Sequence, residues 1–560
     1  MSTQTNTAST ATSSSSTGTH QKQVGMKETI TSLVIALMLA LIFRGFVVEG
    51  FQIPTGSMAP TLLGKNIRHT SPHNGYSWTT GPWDMIAQSR VPAKVQGPLT
   101  VTDPMTGLDQ GESNRKLSSG DRVFVLKYLP MLHEPERWDV VVFKNPGTHE
   151  NYIKRLVGLP GEQLAIVDGD FFTRKYIEGQ TAVTGWDAWE ASDWEVARKS
   201  ERIQRVMLQD VSNSRYAPVA VDPGYRSPWD GVGNGWDGVR TSSEYVYSGS
   251  GDAKLVWNGT KPITDRYAYN QIRNSFDLSA TPENPTVGYR PFYVSDIALS
   301  VDMKMKEADV VATPMISARG RQFRAVVDPG AGTARVEMRV DTEGAAWVSM
   351  DSGSFGKRGV NDVVGIEFWH VDQSLWVFID GDLVCGGAEK GAYSMSPIER
   401  AQAATGMTRE ELQADRRAGD GVTRPGVLSR PEIYKPATVE WGFAGGGFAL
   451  HNVRVRRDIS YKNMSDDSAR DATRGGHPDF FPTLTDKEFF MCGDNSPRSL
   501  DSRLWEAGSI VPWVEELIDD QVGTVNRDLV VGKAFVVYWP SMLKEGKMAA
   551  PDVGRVRWIW

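Results

Sequence analysis

The pattern of apolar and polar positions divides the chain into a polar head, one long apolar run, and many short alternating segments. Residues 1–27 open with the tract MSTQTNTASTATSSSSTGT, which has too few apolar side chains to fold and reads as a disordered tail. From Ile30 to Val48 the sequence ITSLVIALMLALIFRGFVV is apolar over 19 residues, uninterrupted from Leu33 to Phe43. At about 1.5 Å per residue a helix there is roughly 28 Å long, close to the thickness of a bilayer core. A cleaved secretory signal competes with this reading, but Arg44-Gly45-Phe46-Val47-Val48-Glu49 contains no small-x-small cleavage pattern. A buried core helix fits less well, because no apolar segment precedes it. We therefore expect a transmembrane anchor over 28–48, with Arg44 snorkelling to the headgroups. Lys22 and Lys27 precede it and the next base after Arg44 is Lys65, which favours a cytoplasmic amino terminus and the remaining chain outside.

Beyond the anchor the period changes to two. Trp138 to Lys144 reads as a partly buried strand, Asn145-Pro146-Gly147 as a turn and Tyr152 to Val157 as the returning strand. Residues 169–247 are mixed and Trp-rich, with a short amphipathic helix expected in ARKSERIQRVMLQDV. From 248 to 461 alternating strands recur, among them EFWHVDQSLWVFIDGDLV, where Asp380-Gly381 is a hairpin turn. A β-sandwich is expected there, followed by a linker over 462–479.

Composition adds exclusions. With 61 basic and 68 acidic side chains the net charge is −7, so no global basic field draws nucleic acid. Only Cys385 and Cys492 are cysteines, the eight histidines are scattered and HExxH is absent, so neither a disulfide framework nor a metal site is indicated.

Three segments carry candidate chemistry. FQIPTGSMAPTLLGKN places Ser57 in a Gly-Ser turn between Pro54 and Pro60, which as it stands fits a plain turn residue as well as a nucleophile; the GxSxG elbow is absent. In YIKRLVGLPGE, alternation puts Lys154 on one face with Tyr152 and Leu156, and Arg155 on the other with Ile153 and Val157. Desolvation there lowers the lysine pKa and makes it a base; a lysine snorkelling from a strand edge is the alternative. FFMCGDNSPRSLDSRLWEAG gathers Asp494, Asn495, Ser499, Asp501 and Arg503, which alone reads as a well-bonded loop with a structural ion pair.

In this order and behind an anchor, IPTGSMAPTL, YIKRLVGLPGE and GDNSPRSLDSR resemble the boxes of bacterial type I signal peptidases, and GDRVFVLKY (120–128) resembles the strand between them. The resemblance implies a mainly β catalytic core over 49–168 and 480–560, with a smaller insertion at 69–113. It implies Ser57 as nucleophile, Lys154 as general base, Thr55 as an oxyanion-hole hydroxyl and Ser499 as the serine that orients the lysine. Asp494, Asp501 and Arg503 are implied to support the site. Phe51, Gln52, Ile53, Pro54, Met58, Leu62, Tyr152 and Ile153 are implied to bind an extended substrate strand by β-addition. No metal or other cofactor is implied. Ser57 lies nine residues beyond Val48, so even an extended chain keeps it within about 30 Å of the membrane.

The implied function is a single-pass inner-membrane endopeptidase that removes signal peptides from secretory preproteins after small-x-small sites, on the outer face. The 248–461 block looks like the concanavalin-like jelly rolls of lectins and laminin G modules. His370, Trp369, Asp372 and Trp376 line either a sugar site or the sandwich core, and the block is expected to be accessory, with a glycan or protein ligand left open. Two further readings stand beside the protease: an anchored β-sandwich binding protein on a retired protease scaffold, which predicts loss of Ser57 or Lys154, and a self-cleaving or regulatory Ser/Lys protease.

Overall fold

The computed structural model describes residues 26–81, 99–112, 117–127, 134–177, 185–220, 222–270, 273–274, 291–414, 426–461, 474–505, 510–545 and 548–560. The expected tail up to residue 25, much of the smaller insertion (82–98) and most of the 462–479 linker lie outside them. The first of two compact units ends at Glu49 and contains one helix, α1 (Met26–Phe46), long and apolar enough to cross a membrane. Glu28 in its first turn and Arg44 in its last complement the helix dipole, while Lys27 in the first turn opposes it.

The second unit begins at Gly50. One half of it is built on an antiparallel sheet that includes β1 (Val48–Gln52), β2 (Arg122–Leu126), β3 (Val140–Lys144), β4 (Asn151–Gly158), β5 (Glu488–Cys492) and β6 (Val530–Trp539). Their spatial order is β1-β2-β6-β3-β4-β5, so the chain's last long strand lies between two of its early ones. Strand β3 reads VVVF because both of its faces are covered. Val140 and Val142 pack with Val123, Val125 and Ile153, while Val141 and Phe143 pack with Leu156, Met491 and Trp505. Each such side chain contributes about 1.5–3 kcal/mol by leaving water. The expected turn forms where Asn145 Oδ1 accepts the N–H groups of Gly147 and Thr148 at 2.8 and 2.9 Å. That turn sets the β3–β4 register, pairing Lys144 with Asn151 and Val141 with Lys154.

The insertion is a sandwich of two antiparallel sheets. One contains Ile297–Met305, Val363–Val371 and Phe448–Arg457, the other Val311–Ala318, Arg321–Asp328 and Thr438–Ala444. Val311–Ala318 alternates strictly between half-buried and buried positions, and its inward side chains meet Leu299, Ile366 and Phe368 from the facing sheet. Asp380 and Gly381 both have positive φ, 51° and 93°, as a two-residue hairpin turn requires. The expected short helix occupies Glu201–Met207. The sandwich begins earlier than residue 248, because Gln209–Asn213, Trp229–Val232 and Tyr245–Tyr247 already belong to its sheets. Those strands are three to five residues long, too short to display a period. His370 is corrected from sugar-site candidate to core: it is buried, stacks 4.0 Å from Phe323 and bonds the Ser295 carbonyl and Tyr393 hydroxyl. Trp369 and Trp376 are buried too, and Asp372 pairs with Lys199 at 2.5 Å.

A buried ionic cluster ties the sandwich to the other half of the unit. Arg319, at a hairpin turn of the sandwich, bonds Asp168 at 2.7 Å and Asp296 at 2.7 Å. Arg400, in the helix Pro397–Thr405, bonds Asp168 at 2.8 Å and Asp170 at 2.7 Å. Removing these groups from water is costly, and their mutual neutralisation offsets it only while every partner is in place.

Candidate active site

The serine loop follows β1 and is stapled at both ends by Asp121, which directly precedes β2. The Ile53 N–H donates to the Asp121 carbonyl, and the Asp121 N–H to the Leu63 carbonyl, both at 2.8 Å. The Asp121 carboxylate accepts from the Leu63 N–H, the Ser541 N–H and Arg555 at 2.8, 2.8 and 2.9 Å. Gly120 is required next to it, since a Cβ there would lie 1.9 Å from the Ile53 carbonyl oxygen. Within the loop the Leu62 N–H donates to the Met58 carbonyl at 2.8 Å. This helical turn directs both side chains inward, where they pack with Val123, Val125 and Ile153.

Ser57 and Lys154 are brought together from 97 positions apart, with Lys154 Nζ 2.7 Å from Ser57 Oγ. The amine also donates to the Ile153 carbonyl at 3.1 Å. Lys154 is 4% exposed, and burial pushes its pKa down to about 8 against the opposing pull of Asp501 and other nearby groups. About a tenth of the amine is therefore neutral at pH 7, and a neutral amine beside a hydroxyl is able to accept its proton. Thr55 Oγ1 lies 3.5 Å from Ser57 Oγ on the exposed side of the loop.

The third segment closes the site from below. Asp494 receives a two-pronged bond from Arg155 at 2.7 and 2.6 Å, and Arg155 continues to the carbonyls of Trp138 and Trp560 at 2.7 and 3.0 Å. Asp501 accepts from the Gly493 N–H at 2.9 Å and from Arg503 through Nε and Nη2, both at 2.9 Å. Arg503 reaches on to Ser496 Oγ at 2.8 Å. Gly493 lies against Ser57: a Cβ there would be 2.4 Å from the Ser57 carbonyl oxygen and 2.2 Å from Ser499 Oγ. The Asn495 N–H donates to the Ser57 carbonyl at 3.0 Å and its side-chain amide to the Gly56 carbonyl at 2.9 Å.

Two expectations change. Ser499 is beside the site, but its buried hydroxyl has no hydrogen-bond partner among the described residues, so in this structure it does not orient Lys154; the Ile153 carbonyl and Ser57 do. Met58 and Leu62 are fully buried and belong to the core, not to a substrate surface. Gln52, Pro54 and Thr55 are exposed, Phe51 and Tyr152 half-buried, and Ile53 and Ile153 buried in the same cluster as Met58 and Leu62. Asp121, Asn495, Tyr269 and Asn270 hold the serine loop without having been singled out as site residues. Only the first two left a local signal, in the Gly-Asp before β2 and in the polar cluster.

Fold and site together set a serine hydroxyl against a buried amine of lowered pKa on one antiparallel sheet. Residues 26–78, 101–212 and 448–539 match the family model for signal peptidase, peptidase S26. Signal peptidase I of Rickettsia prowazekii (strain Madrid E) is 30% identical over 144 residues, 26% of this chain and 41% of that relative. Signal peptidase I of Rickettsia massiliae (strain Mtu5) is 31% identical over 143 residues, 25% of this chain and 41% of the relative. The chain thus spans about two fifths of the length of these curated relatives. The family match omits 213–447, where most of the sandwich lies. Among solved structures, carbohydrate binding module CBM66 from Bacillus subtilis aligns over 41% of this chain and 96% of its own, with 11% identity and a TM-score of 0.22.

Proposed function

We propose that the protein is a membrane-bound serine endopeptidase that cleaves amino-terminal signal peptides from exported preproteins after small-x-small sites, with Ser57 as nucleophile and Lys154 as general base. The observation that carries this reading is the 2.7 Å contact between Ser57 Oγ and the buried, pKa-lowered amine of Lys154. Lys154 takes the Ser57 proton as Oγ attacks the scissile carbonyl, then gives it to the departing amine. Neutral again, Lys154 next deprotonates the water that attacks the acyl-enzyme, and that proton passes to Ser57 Oγ as the ester bond breaks. The negative oxygen of each tetrahedral intermediate would be stabilised by the Ser57 N–H and the Thr55 hydroxyl, donors worth roughly 3–4 kcal/mol each.

The sheet also supports strand addition. Residues Asn151–Lys154 of β4 pair with β3 on one side, whereas β5 joins the other side only from Arg155 onward. Among the described residues that edge beside Lys154 is open, and an extended substrate backbone would fit along it. Side chains facing the buried Ile53 and Ile153 find little depth, which favours small residues before the cut, while Phe51, Gln52, Pro54 and Tyr152 flank the strand. The helix α1 is a candidate anchor, and we place it in the inner membrane as a single pass with the catalytic half on the outer face. The proposed partners are secretory preproteins and the bilayer.

The test is cleavage of a preprotein by the detergent-solubilised chain. Ser57→Ala is expected to abolish it while the Tm stays at the wild-type value; cleavage retained by Ser57→Ala would remove the nucleophile assignment.

A further inference from the structure

The serine loop is held from its far side by the sandwich insertion. The turn Ala268–Asn270 reaches the loop from a part of the chain outside the family match. The Tyr269 ring, 5% exposed, packs with Ala59 and Leu63 and lies so close to Gly56 that a Cβ there would be 2.3 Å from it. Its hydroxyl donates to the Lys65 carbonyl at 2.6 Å, and its own carbonyl accepts from the Gly81 N–H at 2.7 Å. Tyr269 thus touches the loop on both sides of the nucleophile.

Asn270 acts one step further out. Its Nδ2 donates to Asn495 Oδ1 at 2.7 Å and its Oδ1 accepts from Asn495 Nδ2 at 2.9 Å. The second Nδ2 proton of Asn495 goes to the Gly56 carbonyl, so both amide protons are used and the amide has one orientation that satisfies every partner. Gly56 precedes Ser57, and the Asn495 backbone holds the Ser57 carbonyl. The turn itself is rooted in the sandwich: the Arg457 guanidinium covers the Tyr267 ring at 4.5 Å and donates to the Arg266 carbonyl at 3.2 Å. Asp265 and Phe292 exchange two hydrogen bonds at 2.8 and 2.9 Å.

We propose that Tyr269 and Asn270 are positioning residues for Ser57, so that hydrolysis depends on the insertion and the sandwich is an integral part of the catalytic apparatus. This inference rests on the Ser57 reading above. A nucleophile displaced by a fraction of an ångström loses its approach line while substrate binding along β4 is unaffected, so the effect belongs in kcat and not in KM.

The test uses the full chain in detergent with a preprotein substrate. Asn270→Ala is expected to lower kcat roughly 10- to 100-fold with KM within about twofold, at wild-type Tm. In an Asn495→Ala background the Asn270→Ala change is expected to add nothing, because the two amides act as one unit. Tyr269→Phe, which keeps the ring against Gly56, is expected to retain most of the kcat that Tyr269→Ala loses. Unchanged kcat in Asn270→Ala, losses that add in the double variant, or a kcat loss matched by a fall in Tm would each overturn the proposal. Ser57→Ala, run alongside, separates the two readings: an active Ser57→Ala removes the nucleophile assignment, whereas an inactive Ser57→Ala with a fully active Asn270→Ala removes this proposal alone.

Discussion

At the scale of single residues, Lys154 carries two opposed consequences of burial. Its pKa falls from 10.5 to about 8, which arms it as a base and at the same time penalises the folded state wherever the unfolded chain would hold the proton. The penalty is fully present below pH 8, about 3 kcal/mol for a shift of this size, and is relieved as pH rises toward 10.5. Lys154→Met is therefore expected to be more stable than wild type at pH 6–7, by about 2 kcal/mol once the lost hydrogen bonds are counted. Denaturant titrations at several pH values should show that advantage shrinking between pH 8 and 10.5; an advantage independent of pH would contradict the shift. Asp494 is the opposite case. It neutralises a fully buried Arg155, so Asp494→Ala strands a cation and is expected to cost about 3–5 kcal/mol in the same titration. Ser57 and Lys154 were legible in the sequence because each sits in a short, self-contained box. Ser499 also lies in a box, but whether its hydroxyl meets Lys154 depends on side-chain direction, which spacing does not encode.

At the scale of elements, the serine loop shows where sequence reasoning misleads. Apolar residues beside a nucleophile invite a substrate-binding role, yet Met58 and Leu62 are joined by a helical i to i+4 bond that sends both to the same inward face. Strands β3 and β4 and their Asn145 turn were readable because alternation and turn chemistry are local. The staple formed by Asp121 was not, since it joins strand and loop partners that are remote along the chain. Asp121→Ala would leave two buried N–H groups and Arg555 without an acceptor, each unpaired amide costing about 1–3 kcal/mol. It is expected to lower Tm and to slow cleavage by loosening the Leu63 end of the loop, whose N–H the carboxylate accepts. A variant with wild-type Tm and kcat would show that the loop is fixed elsewhere.

At the scale of the molecule, an interrupted core and a sandwich were readable from the sequence, whereas the contacts that join them were not. An accessory insertion would touch the core lightly. Instead Arg319 and Arg400 lock it to Asp168 and Asp170, and Asn270 meets Asn495 across 225 positions of chain. Such pairs leave no periodic trace, because each partner alone is an ordinary polar residue in a loop or helix. Replacing Arg319 with Leu leaves Asp168 and Asp296 short of a partner and is expected to lower stability by about 3–5 kcal/mol. Calorimetry should then show the sandwich and the catalytic half losing stability together; a loss confined to one of two separate transitions would mean that they fold independently.

The central claim is that a neutral Lys154 activates Ser57. It is tested most directly by single-turnover cleavage of a preprotein, by wild type and Lys154→Ala, across a pH series. The account predicts a wild-type rate that rises with pH as the amine loses its proton and levels off above about pH 8, and no measurable cleavage by Lys154→Ala at any pH. A wild-type rate that is flat through this range, or a Lys154→Ala protein that still cleaves, would contradict it.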